Sequence, residues 1–414
     1  MDKQDMTSRS QRLMLDLGIV RQANPGCYHL LPMGLRAMEK LTKLVDTEMQ
    51  KVGCQKMVLP TLTNASLWKT TGRLETTANE LFIVTDRHNK KYVLSPTHEE
   101  SITELVASLS PLSYKQFPLR LYQVTSKFRD EIKPRFGVMR SREFVMKDLY
   151  TFDTDLSAAR GTYDAICASY DVIFNTLGVQ YVKVLATTGN IGGSVSHEYQ
   201  IPAEIGEDRL MSCANCKYTA NTELCGTEEC PECGNTDNLS ITSGIEVGHT
   251  FLLGDKYSKP LGAKYLGVDG KSGVLQMGCY GLGLSRILAA TIEVLSSENE
   301  VRWPLAVAPY IAVIIPPKAG SKEETITAHL CQQLYTTLNS YNSLADNVLI
   351  DDRLHMTIGK RLFEARRVGY PFVIAIGSAA TQTPPLFELY DLTNNLKENL
   401  TEQALFSYVK NKLL

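Results

Sequence analysis

The chain has 414 residues, of which 43% are hydrophobic and 21% charged, with a net charge of −2. These are globular proportions, and the length gives room for two or three domains with ample core. So balanced a charge excludes a protein that coats nucleic acid over its whole surface, leaving any RNA contact to local basic patches, and no apolar run approaches the ~20 residues of a membrane span.

The first twenty residues show neither an apolar core nor an Arg- and Ser-rich amphipathic pattern, so no targeting segment is visible. Residues 8–20 read as a short helix, followed by a Pro25–Gly26 turn and a brief strand over 28–31. From Leu35 the apolar positions Met38, Leu41, Leu44, Val45 and Met49 repeat at helix spacing until Gly53. A strand over 55–59 ends at Pro60, and 79–85 with 90–94 form a hairpin. Thr97-His98-Glu99-Glu100 suits a helix N-terminus, with a threonine cap and acids in the first turn. His98-Glu99 opens like a zinc-protease helix, but Ile102 stands where the second His is required.

The densest motif runs from Phe128 to Phe152. Two arms, 128–131 and 143–150, flank a loop carrying Lys133, Arg135, Arg140 and Arg142. Four cations on one flexible loop suit a polyanion, a triphosphate or a nucleic-acid end; a solvated surface hairpin is the other reading. A helix over 156–177 turns Tyr163, Ile166, Tyr170, Ile173 and Phe174 inward and ends at Gly178. A strand over 179–187 leads to glycines 189, 192 and 193, which let the backbone pass close to a ligand, and then to His197. Cys213-x-x-Cys216 and Cys230-x-x-Cys233 are two knuckles able to place four thiolates around a structural zinc, with Cys225 spare; a loop with chance cysteines is the alternative. The remaining cysteines are scattered, as in a reducing compartment.

A strand over 244–254 carries Glu246, His249 and Phe251. Glycines 278, 281 and 283 precede a helix over 287–295, yet Arg286 occupies the third glycine position of a dinucleotide fingerprint, which excludes that reading. Beyond a hinge at 304–309, strands over 310–315, 347–351 and 372–376 alternate with helices, one of them opened by a Ser321-x-x-Glu324 capping box. An edge strand over 386–390 and a helical end complete an α/β layer with a mostly parallel sheet.

Taken in order, these motifs resemble those of class II aminoacyl-tRNA synthetases, in the form used by prolyl-tRNA synthetases. The long helix closing on Pro60 resembles motif 1, Phe128-Arg129-Asp130-Glu131 with Glu143-Phe144 resembles motif 2, and Gly281-Leu282-Gly283 with Arg286 resembles motif 3. The resemblance implies an α+β catalytic domain over 1–304, an antiparallel sheet flanked by helices, then an α/β anticodon-binding domain over 305–414. The short cysteine-bearing stretch 208–240 stands where many bacterial members carry an editing domain, as in the mitochondrial-type form. Also implied are L-proline, ATP, Mg²⁺ and tRNA(Pro) as ligands, a homodimer without a membrane anchor, and a place in the mitochondrial matrix, with the cytoplasm as alternative.

Residue by residue, the resemblance assigns Arg129 to the ATP α-phosphate, Glu131 to the adenine amino group, Phe144 to stacking on adenine and Arg286 to the γ-phosphate. Arg140, Arg142, Glu246, Thr250, Gly281 and Gly283 belong along the nucleotide. Thr97 and Glu99 would meet the proline amine, with Arg129, His197, His249, Phe251 and Cys279 around the imino acid. Arg353, Lys360 and Arg361 are candidate anticodon contacts, or a solvated face. A related enzyme charging threonine is one rival reading. The other is a non-catalytic paralogue serving as an RNA-binding or polymerase-accessory subunit, which would be expected to lack Arg129 or Arg286.

Overall fold

The computed structural model describes residues 7–109 and 111–413; the outer domain bounds expected at 1 and 414 lie outside the described residues. The chain forms two compact units. Among the described residues, one contains 7–11, Arg21–His29 and Leu41–Ala290; the other combines Arg12–Val20 and Leu30–Lys40 with 291–413.

The first unit is organised by a nine-stranded sheet. Its site-bearing elements are α1 (Glu99–Ser108), β1 (Leu119–Phe128), β2 (Glu143–Asp153), α2 (Leu156–Leu177), β3 (Val195–Pro202), β4 (Leu239–Gly254), β5 (Gln276–Gly283) and α3 (Leu284–Leu295). β1, β2, β5 and β4 are consecutive antiparallel neighbours. The far edge of β4 is shared: residues 239–244 pair with Asp208–Cys213, and residues 244–252 pair with β3. The sheet has two differently used faces because its strands alternate. α2, capped by Asp155 and ended by Gly178 at φ 66°, packs Tyr163, Ile166, Tyr170, Ile173 and Phe174 against one face. The other face is left for a cleft.

One irregularity sets which residues reach that cleft. Tyr199 pairs with Gly248 but Gln200 pairs with Glu246, so Val247 is an extra residue in β4. Such a bulge reverses the alternation. Glu246 and His249, three apart, therefore face the same side.

The expected elements are present with shifted ends. The strand over 55–59 shortens to Gln55–Lys56, and the hairpin is Phe82–Thr85 with Lys91–Leu94. The first arm of the basic hairpin is a strand only to Phe128. There the Arg129 N–H still reaches the Arg142 carbonyl at 2.9 Å, but the Asp130 N–H turns to Glu80, so the ladder stops.

The second unit has a five-stranded sheet in the order Val348–Ile350, Ala312–Ile315, Phe372–Ala375, Phe387–Asp391, Leu396–Leu400. The first three are parallel and the last two antiparallel. The expected edge strand is thus one place in from the edge, because polar Leu396–Leu400 adds a further strand. Ser321 accepts the Glu324 N–H at 3.2 Å, whereas the Glu324 carboxylate takes the Gly320 N–H rather than completing a reciprocal box.

Candidate active site

Two adjoining cavities of about 330 and 450 Å³ open on the cleft face of the first unit and share Glu80, Arg129, Met139, Glu246 and Arg286 in their walls. Arg129 leaves the end of β1 and Arg286 lies in the first turn of α3, so two guanidinium groups from distant parts of the chain converge. Arg286 is fixed by the Met139 and Glu246 carbonyls, each at 2.9 Å, and by the Glu246 carboxylate at 3.4 Å. Arg129 makes no ion pair among the described residues; its guanidinium carbon sits 5.3 Å from the Phe144 ring centroid. Burial and then the like charge of Arg286 press its pKa down, so an anion bridging both groups would relieve real electrostatic stress. Glu246 is the local counter-charge. Burial alone would raise its pKa, but the His249 hydrogen bond, Arg286 and Arg129 hold it at about 2.

The other end of the smaller cavity has the opposite sign. The Thr97 hydroxyl donates to Glu99 at 2.8–2.9 Å and lies 3.1 Å from the Tyr150 hydroxyl. Arg73 donates to Glu99 and to Glu100 at 3.1 Å each. Between the two ends stand Phe251 and Cys279, with the His249 ring stacked on Phe251 at 4.0 Å. His249 is locked by Glu246 at 3.0 Å and by the Ser196 hydroxyl at 2.6 Å. The cleft can therefore hold a polyphosphate at one end, an ammonium at the other, and a small apolar body between them.

A family model for the tRNA synthetase class II core domain (G, H, P, S and T) matches residues 82–295, and one for the anticodon binding domain matches residues 312–412. A probable mitochondrial proline--tRNA ligase of Homo sapiens is 53% identical over 389 residues, 93% of this chain and 81% of that protein. The corresponding Rattus norvegicus protein is 50% identical over 404 residues, 97% of this chain and 84% of that one. The chain belongs to the prolyl-tRNA synthetase family. Its fold also matches the Giardia lamblia prolyl-tRNA synthetase in complex with prolyl-adenylate, with TM-score 0.82 and 19% identity over 99% of this chain and 80% of that one.

In this prolyl-tRNA synthetase fold most of the residues singled out in the sequence do meet. Thr97, Glu99, Arg129, Phe144, Glu246, His249, Phe251, Cys279, Gly281, Gly283 and Arg286 line the smaller cavity, and Glu131 and Arg140 the larger. Thr250 and His197 do not. Each is half a pleat out of phase and faces α2, where both bond the Tyr163 hydroxyl, at 2.8 and 2.7 Å. On β3 it is Ser196 and Glu198 that reach the His249 ring, at 2.6 and 3.9 Å, behind the cavity wall. Burial, then Lys183 and Arg160, hold the His197 pKa down at about 4. Arg142 lies outside both cavities, ion-paired with Asp130 and packed over Phe82. The basic loop is also less bare than its sequence: Arg140 pairs with Glu131 at 3.0 Å, and Arg135 and Arg140 both pair with Glu207. Gly193, at φ 103°, is required by the Leu252 carbonyl, which a Cβ would meet at 2.3 Å, rather than by a ligand.

In the second unit Arg361 is fully buried and donates to the Asp351 and Pro316 carbonyls at 3.1 and 2.6 Å, so it is a structural residue and not an RNA contact. Arg353 is exposed but pairs with Asp351 and Glu364; Lys360 is exposed. The four cysteine sulfurs 213, 216, 230 and 233 lie within 4.8 Å of one another, with Cys213–Cys233 at 3.7 Å and Cys216–Cys230 at 3.5 Å. A tetrahedron with Zn–S bonds of about 2.3 Å has edges of about 3.8 Å, so the donor set fits zinc. Cys225 points instead to the Asn221 carbonyl.

Three cavity-lining residues, Arg73, Asp148 and Tyr150, are not singled out by any motif in the sequence. Two of these were accessible: Phe144, Met146, Asp148 and Tyr150 alternate along β2 and all line the cavity.

Proposed function

We propose that this chain ligates L-proline to tRNA(Pro) through prolyl-adenylate. The observation that carries the proposal is the convergence of Arg129 and Arg286 on one cleft whose far end holds Glu99. In the first step a proline carboxylate oxygen bonds to the ATP α-phosphorus while the bond to pyrophosphate breaks. In the second, the terminal adenosine of the tRNA attacks the acyl carbon and AMP leaves. Arg129 bridges the α-phosphate and the proline carboxylate, and Arg286 draws off charge at the γ end. Phe144 stacks on adenine and Glu131 reads its amino group, with Arg140, Gly281 and Gly283 along the nucleotide. Thr97 and Glu99 take the proline ammonium, and His249, Phe251 and Cys279 shape the ring pocket. No side-chain nucleophile is needed; the rate comes from positioning and charge neutralisation.

Glu246 and Glu198 are the carboxylates suited to Mg²⁺; with His249 they form a cluster of donors within 4.8 Å. The ion would screen the phosphates. Zinc in the four-cysteine knuckle would be structural, since four thiolates leave no open position. The functional division is a catalytic domain over 1–304, with the 208–240 knuckle, and an anticodon-binding domain over 305–414 that contacts tRNA through Arg353 and Lys360. A homodimer built on the 32–60 segment and a mitochondrial matrix location complete the reading, in keeping with the names of the mammalian relatives. The test is ATP–pyrophosphate exchange by the purified chain across a panel of amino acids. Dependence on proline is expected; exchange with threonine instead, or with none, overturns the proposal.

A further inference from the structure

The amino-acid end of the cleft contains more charge than Glu99 alone. Arg73, only 4% exposed, lies with its guanidinium carbon 4.6 Å from the Trp68 ring centroid and 5.6 Å from that of Tyr257. It reaches Glu99 and Glu100, which are 2% and 0% exposed. Two buried carboxylates thus share one buried guanidinium. Of the other cations nearby, Lys127 pairs with Asp148 at 2.8 Å and Arg129 belongs to the phosphate end, while the Lys256 ammonium donates to the neutral Asn190 and Ile191 carbonyls at 3.0 and 2.8 Å and keeps its charge within the field of Glu99 and Glu100. The remaining titratable groups facing Glu99 are Tyr150, Tyr257 and Cys279, which are neutral at physiological pH, with burial pushing each of their pKa values up.

We propose that Arg73 is a positioning residue: by bridging Glu99 to Glu100 it offsets their mutual repulsion and fixes Glu99 where a single substrate ammonium must sit. The inference rests on the proline reading of this site. Without the guanidinium the two carboxylates repel each other and come to share a proton, so a substrate ammonium meets a weakened and misplaced acceptor.

Arg73→Gln in the full chain should raise KM for proline about 10–100-fold in pyrophosphate exchange, with KM for ATP and kcat nearly unchanged. The loss should deepen as pH falls from 8 to 6, where the carboxylate pair takes up a proton, while the parent chain stays flat. Arg73→Lys should restore the flat profile but only part of the affinity, lacking the fork. Glu100→Gln, which leaves the guanidinium to Glu99 alone and so in competition with the substrate ammonium, should raise KM for proline at least about tenfold; this variant decides if Arg73→Gln fails to fold. An unaltered proline KM in either folded variant, or a loss that is the same at every pH in Arg73→Gln, overturns the inference. Absence of proline-dependent exchange in the parent chain overturns the functional reading instead.

Discussion

Arg129 and Arg361 are both largely enclosed arginines, yet their partners give them opposite roles. Arg129 has a like-charged neighbour and no carboxylate paired with it among the described residues; Arg361 is anchored by two carbonyls. Arg129→Ala should cut kcat/KM for pyrophosphate exchange by about 10³-fold or more, with an unchanged thermal melt; retained exchange would refute its role. Arg361→Ala should destabilise the second unit by about 2–4 kcal/mol, because two buried acceptors lose their donors. Lys360→Ala should leave the melt alone and raise KM for tRNA. A tRNA defect in Arg361→Ala without any loss of stability would reverse the assignment. Neither difference is visible in the sequence, where both are arginines next to other charges.

At the scale of elements, the sequence was most legible where periodicity was long. The helix over 156–177 was readable to the residue, because its apolar stripe, Asp155 cap and Gly178 stop agree. The cysteine knuckles were readable from spacing alone. Thr250 was misjudged although the rule that excludes it is elementary: neighbours on a strand face opposite sides, so it cannot accompany both His249 and Phe251. Glu246 with His249 is the reverse case, since only the bulge at Val247 lets residues three apart share a face, and nothing in the local composition announces a bulge. The knuckle gives its own prediction. The purified chain should hold about one zinc, four thiolates making one closed site. Chelation, or Cys213→Ser, should open residues 208–240 to proteolysis before the sheet unfolds. Metal analysis that finds no zinc, with an unchanged cleavage pattern on chelation, would rule it out.

For the whole molecule, one buried acid gives a pH dependence. Asp153 is 1% exposed, accepts from Thr162 at 2.9 Å through one oxygen, and has a second oxygen without a hydrogen-bond partner among the described residues. Burial raises its pKa to about 6, against the opposing pull of Thr162 and Arg120. A carboxyl that binds its proton more tightly folded than unfolded costs stability as pH rises from about 4 to about 6, and the cost is complete above that range. Asp153→Asn should therefore stabilise the chain at pH 7.5 by about 1–2 kcal/mol, a shift of this size being worth at most about 3 before solvent screening. The difference should vanish near pH 4. Equal melting temperatures of the two proteins at pH 7.5 would contradict the assignment.

The bulge at Val247 has an effect beyond aiming two side chains. It divides one continuous strand into two segments of opposite parity, and Glu246, on the upstream segment, keeps its place beside His249 only while Val247 remains the single extra residue. Deleting that residue would swing the Glu246 carboxylate to the helix side of the sheet and strip Arg286 of its counter-charge, with His249 still in phase.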